Sequence, residues 1–138
     1  MEIEIFTLCD YAAEGQPGKL TIVGTFDTLH CQNVPVVHPA CSIALRVRMA
    51  NKEAGLHDME IRFQDPSGNE ISKIQGQLNV APSPNSNYST TNLVINFGNL
   101  ELKELGKYTF ELWLDGDFQS GLSMHVLKID PSLLKKVA

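Results

Sequence analysis

Apolar and polar side chains alternate along most of this chain, and a period of two residues is the pattern of a strand with one buried face. The stretch 43–49 has an apolar residue at every second position, and 108–114 repeats the pattern. A helix would scatter these side chains around its circumference. The alternation predicts strands over roughly 2–9, 19–30, 35–50, 56–64, 70–80, 90–99, 107–114 and 117–130.

Turn-forming residues separate these predicted strands. The segment 15–18, Gly-Gln-Pro-Gly, closes a first loop, the segment 65–69 suits a type I turn, and Asp115-Gly116 is a strong two-residue hairpin signal. About eight short strands with regularly spaced turns predict an all-β fold, an antiparallel β-sandwich of immunoglobulin-like type. The 138 residues show neither a repeat nor a change in composition, so one sandwich domain is expected to cover 1–138.

Three segments depart from the strand pattern. Residues 100–105 could form one helical turn, and 131–138 could form a short tail helix with Asp130 as its N-cap. Residues 81–92 contain two prolines and eight Ser, Thr or Asn residues, which predicts a long exposed loop. Such a loop either carries binding or simply connects two strands, and the sequence leaves both open.

Two further predictions concern the core. Leucines at 102 and 105, then Gly106 and Tyr108, resemble the tyrosine corner of immunoglobulin-like sandwiches. This pattern predicts a buried Tyr108 whose hydroxyl bonds to backbone near 102–105. The alternation predicts the following core residues: Ile43, Leu45, Val47, Phe63, Leu93, Ile95, Phe97, Phe110 and Leu112.

Charge and composition exclude several classes of function. The chain is 43% hydrophobic and 20% charged, as soluble globular proteins are, and its net charge of −5 argues against binding to nucleic acid or to an anionic membrane. Neither a membrane-spanning run nor a signal peptide is evident, so we expect a cytoplasmic protein. In that compartment Cys9, Cys31 and Cys41 are expected to be buried free thiols, with an internal disulfide as the alternative.

Possible metal ligands cluster at His30, Cys31, His38 and Cys41. Zinc usually takes four such ligands from two closely spaced pairs. Here the first two are adjacent, and neighbours on a regular strand point to opposite faces. We therefore predict no metal site, and read these residues as loop histidines and packed thiols.

Catalytic motifs are also missing. The segment 15–20 resembles a phosphate loop only faintly, because its glycines are too close together and a strand follows it. A Gly-x-Ser-x-Gly motif is absent, and Asp115 and Asp117 flank a predicted hairpin turn. Neither they nor Asp27 pair with a nucleophile. We predict no catalytic residue and no cofactor, and so a protein that is not an enzyme.

Three stretches carry a family resemblance: Ile5–Ala12, Gly18–Asp27 and Gly106–Gly116. They resemble a family of small bacterial proteins known only as a domain of unknown function. The resemblance spans most of the chain and implies a compact β-sandwich, bacterial or phage-borne. It implies neither an activity nor any functional residue.

Three functional hypotheses remain. The first is a non-enzymatic module that binds a protein partner or a second copy of itself, because edge strands of sandwiches offer unpaired backbone groups. The second is a module that binds a small ligand or carbohydrate, and the third is a hydrolase with an unrecognised site. Trp113, the only tryptophan, falls on the outer face of its strand and is the candidate partner contact. Loop 81–92 or the C-terminal tail could instead cover it.

Overall fold

Two β-sheets enclose the core of this protein in a computed structural model that describes residues 1–130 and Ser132. The strands follow directly from the alternating apolar positions. Their bounds are β1 Glu2–Gln16, β2 Lys19–Thr25, β3 Thr28–Cys31, β4 Val36–Ala50, β5 Gly55–Gln64, β6 Glu70–Val80, β7 Tyr88–Leu102, β8 Gly106–Leu114 and β9 Asp117–Lys128.

Over the part of the chain that the structure describes, the sheets have four and five strands. The first has the order β2-β1-β4-β7 and the second the order β3-β9-β8-β5-β6. Neighbouring strands are antiparallel except β3 and β9, which are parallel. A short 3-10 helix, Asn51–Glu53, joins β4 to β5 and so connects the sheets. The all-β sandwich prediction is confirmed. The described residues form nine strands, because the predicted strand 19–30 is two strands in different sheets.

The predicted core lies between the two sheets. Three of its members, Leu93, Ile95 and Phe97, are only partly buried, because they lie on the edge strand β7. Phe63 and Phe110 stack with ring centroids 4.3 Å apart at the centre. The remaining predicted core residues are all buried, as expected: Ile43, Leu45, Val47 and Leu112.

The tyrosine corner is present. Tyr108 is 1% exposed. Its hydroxyl donates to the backbone carbonyl of Glu104 (2.8 Å) and accepts from the Glu104 N–H (3.2 Å), which confirms the prediction.

The predicted helical turn over 100–105 is wrong. Leu100 and Leu102 belong to β7, where they pair with His38 and Val36 of β4. Both leucines are buried, so the two-residue period of this segment continues the strand. The predicted tail helix over 131–138 lies outside the described residues, apart from Ser132.

The first strand is longer than predicted. β1 continues to Gln16 and forms a hairpin with β2, where the sequence suggested a loop. This hairpin folds over the outer face of its own sheet. Asn92 of β7 donates to Glu14 (2.8 Å), and Arg46 of β4 donates to the Gly18 carbonyl (3.3 Å). A small second core forms underneath, from Cys9, Ala12, Leu20, Ile22, Ala44 and Val94.

The predicted loop 81–92 is shorter than expected. Irregular backbone covers only 81–87, because β7 begins at Tyr88. The side chain of Asn51 holds this loop: it donates to the carbonyls of Ser83 (3.0 Å) and Ser86 (2.7 Å), and accepts from the Ser83 N–H (3.0 Å). The loop is therefore anchored to the start of the 3-10 helix.

Across residues 1–130 and Ser132, no helix has the length and apolar character needed to cross a membrane.

Candidate functional site

Trp113 lies on the outer face of the five-stranded sheet, as the alternation of β8 predicts. Its neighbours Leu112 and Leu114 are buried in the core, while Trp113 itself is half-buried. Across the sheet it is in register with Glu60 of β5, which in turn is in register with Gln75 of β6. One row of side chains therefore runs from the indole to the edge strand β6.

Three contacts fix the indole ring. The guanidinium of Arg62 lies 3.9 Å from the ring centroid, which is cation–π geometry. The indole N–H donates to Glu111 (3.3 Å), and the ring of Phe118 meets the indole at 73° with centroids 5.8 Å apart. Each of these partners belongs to the same sheet. The loop 81–87 is held instead by Asn51, and the C-terminal tail lies outside the described residues apart from Ser132.

A depression of about 330 Å³ opens beside Trp113. Along β5, Asp58 and Arg62 stand on opposite sides of Glu60, and only Asp58 lines the depression. The Arg62 guanidinium, which lies over the indole, is not part of the lining. The complete lining of the depression is Asp58, Met59, Glu60, Gln75, Gly76, Trp113 and Gly116.

Glu60 is the electrostatic centre of this surface. It accepts from Lys73 (2.9 Å), Arg62 (2.7 Å) and Gln75 (3.2 Å). These partners lower the pKa of Glu60 to about 2, with the Lys73 ammonium making the largest contribution. Glu60 is therefore ionised at neutral pH, and its charge is balanced by two cations.

Strand β7 presents a different surface, the open edge of the four-stranded sheet. It has fifteen residues and pairs only with β4 among the described strands. The segment from Tyr88 to Leu100 contains no charged side chain. By contrast, the edge strand β6 of the other sheet carries Glu70 and Lys73.

The four possible metal ligands of the sequence, for which no metal site was predicted, lie on the two strands β3 and β4. His30 is exposed on β3, and the adjacent Cys31 is buried. Cys41 is buried on β4, and His38 is partly buried on the same strand, three residues before it. Among the described residues no group of three or more His, Cys, Asp or Glu side chains could hold a metal ion.

All three cysteines lie in the described part of the chain and are buried and free, as predicted. Burial raises the pKa of Cys9, and it raises that of Cys41 to about 11. At neutral pH these two sulfurs are protonated thiols, so they are poor nucleophiles.

Sequence reasoning missed one polar cluster, at the end of the sandwich. His57 Nδ1 lies 2.6 Å from a carboxylate oxygen of Asp115, and Nε2 lies 2.5 Å from the Glu53 carbonyl. Two acceptors around one imidazole favour its protonated form, and the pKa of His57 is raised, chiefly by Asp115. Asp115 also accepts from the Asp58 N–H (2.9 Å). Only the register of β5 with β8 brings these residues together, so the sequence offered no signal.

The fold and these surfaces define a two-sheet β-sandwich protein. The chain belongs to a family of unknown function, DUF6941, whose profile matches residues 4–127. The resemblance to a family of unknown function is thereby confirmed. No curated protein matches the chain significantly.

Proposed function

We propose that this protein is a non-enzymatic module that associates with a second copy of itself through the edge strand β7. The observation that carries the proposal is the long, uncharged open edge from Tyr88 to Leu100. Exposed edge strands expose unpaired N–H and C=O groups, and proteins that remain monomeric usually blunt such edges with charges, prolines or short strands. Over this segment β7 has neither a charged residue nor a proline.

The other edges of the sandwich are less suited to pairing. β3 has four residues, β2 belongs to the folded-over hairpin, and β6 carries charges of both signs. β7 is longer than each of these and rich in β-branched and aromatic residues, which favour strands. A pairing contact is therefore best supported at β7.

A second copy suits this edge because two copies of β7 that pair antiparallel are related by a two-fold axis, the usual symmetry of a homodimer. The two four-stranded sheets would then form one continuous sheet. Leu93, Ile95 and Phe97 face the core but remain partly exposed at the edge, and a neighbouring strand would cover them further. The net charge of −5 opposes association in general, so an uncharged edge is where two copies can approach at least cost.

The site features support a role without chemistry. Two of the three thiols have raised pKa values, and both ring nitrogens of His57 are engaged, by Asp115 and by the Glu53 carbonyl. Three free thiols suit a reducing compartment, which supports the proposal of a cytoplasmic protein.

The test is the molar mass of the protein in solution, measured by light scattering across a concentration series. The wild type is expected to approach twice the monomer mass of 15.2 kDa as concentration rises. In the variant Thr90→Asp/Asn96→Asp, both new carboxylates lie on the outer face of β7, where they would repel those of a second copy. This variant is expected to remain a monomer with an unchanged circular dichroism spectrum.

The matched control is Thr21→Asp/Thr25→Asp on β2. It adds the same charge at two exposed positions on the opposite edge of the same sheet. It should associate like the wild type. A wild type that is monomeric at every concentration would refute the proposal, and equal dissociation of the control would place the contact elsewhere.

A further inference from the structure

We infer that the depression beside Trp113 is a binding site for a neutral sugar ring. It lies on the five-stranded sheet, away from β7, so the inference is independent of the self-association proposal. Its volume of about 330 Å³ falls at the lower end of the range for small-molecule sites, about 300–1,000 Å³, which suits a small ligand.

The indole of Trp113 provides a fixed apolar wall. Arg62 stacks against one side, Glu111 holds the ring nitrogen and Phe118 contacts the ring. Because these contacts already set the orientation of the ring, little side-chain freedom is lost when a ligand packs against it. A flat aromatic surface matches the C–H face of a pyranose ring.

The polar groups around the depression are mainly hydrogen-bond acceptors. One oxygen of Asp58 accepts weakly from Gln77 (3.3 Å), and the other accepts no bond from the described residues. The Gln75 amide donates to Glu60, which leaves its carbonyl oxygen available. The ligand must therefore bring donors, and hydroxyl groups are donors that can also accept from the Gln75 amide.

The charges of this surface balance and so favour a neutral ligand. Asp58 and Glu60 contribute two carboxylates, and Arg62 and Lys73, both within 3 Å of Glu60, contribute two cations. A neutral polyhydroxyl compound can donate to the carboxylates without adding a charge to this balanced surface.

Trp113 is the only tryptophan, so its fluorescence reports directly on this site. The probes are the methyl glycosides of glucose, galactose, mannose and N-acetylglucosamine and their short oligomers. At least one is expected to produce a saturable blue shift of the emission, with a dissociation constant in the millimolar range. Tetramethylammonium and citrate, a cation and an anion, are expected to produce none.

Variants then locate the site. Asp58→Ala is expected to weaken binding of the active sugar about tenfold, the effect of losing a hydrogen bond to a charged acceptor. Trp113→Ala is expected to abolish binding in ligand-observed NMR. The control is Leu56→Ala, which removes an exposed side chain of β5, the strand of Asp58, outside the depression. It should bind the sugar normally.

The following outcomes would overturn the inference. They are a flat response to every sugar in the panel, a response to tetramethylammonium or citrate in place of sugar, and normal sugar binding by folded Asp58→Ala. Loss of self-association in the β7 variant would not affect this titration, so the two proposals can fail separately.

Discussion

Replacing Tyr108 by phenylalanine isolates the contribution of one hydroxyl group to the stability of this sandwich. The phenol is buried, and its oxygen both donates to and accepts from the backbone of Glu104. Phenylalanine keeps the ring and its packing against Phe63, whose centroid lies 5.5 Å away. The substitution therefore removes two hydrogen bonds and little else.

The expected loss follows from those two bonds. Each hydrogen bond contributes a net ~1 kcal/mol to the free energy of unfolding. Glu104 is partly exposed, so water can reach its backbone groups and replace some of the lost interaction. Tyr108→Phe should therefore lower the free energy of unfolding by about 1–2 kcal/mol, which corresponds to a Tm lower by about 3–8 °C.

The assay is urea denaturation followed by circular dichroism, with Tyr11→Phe as the control. Tyr11 is 58% exposed, so its substitution should leave the midpoint unchanged. Equal stabilities of the two variants would show that the corner bonds contribute nothing. A loss of unfolding free energy above about 3 kcal/mol would show that the ring itself has moved. Two hydrogen bonds to a backbone that water can reach contribute less than that.

Three further predictions concern the core, the pH dependence and metals. Phe110→Ala should lower the free energy of unfolding by about 3–5 kcal/mol, because it leaves a cavity at the centre of the core; an unchanged Tm would contradict this. The raised pKa of His57 means that its stabilising contribution is complete below the pKa of the unfolded state, about 6.5, and is lost as pH rises through the folded value. Unfolding between about pH 5.5 and about pH 8 should therefore show falling stability in the wild type and a smaller fall in His57→Gln, and identical slopes would refute the role of the Asp115 contact. Elemental analysis of protein purified without chelator should find less than stoichiometric zinc; one equivalent that is lost on mutating Cys31 would reverse the prediction.

The strand pattern was predictable because one face of nearly every strand is buried. Alternation placed Phe110 and Leu112 in the core and Trp113 on the outer face, as the structure shows. It failed over residues 10–16, since that part of β1 packs against its own sheet. There Tyr11 is exposed and the small Ala12 is buried, so hydropathy did not mark the strand.

The candidate sites were less predictable, because they depend on register. Nothing in the sequence indicates that Trp113 meets Glu60, or that Arg62 covers one side of the indole. The same holds for His57 and Asp115, which are far apart in the chain. The order of the strands also decides which strand lies at an open edge. The lack of charge in β7 suggests a pairing surface only because β7 is such an edge strand.

Amide hydrogen exchange across a concentration series tests the central claim, self-association through β7, most directly. Backbone N–H groups on the free edge of β7 exchange readily in a monomer, and they become protected when a second copy pairs with them. We predict that protection within 88–100 rises with protein concentration while that of β2 and β6 stays constant. Exchange within 88–100 that does not depend on concentration, in a sample that light scattering shows to be a dimer, would contradict the account.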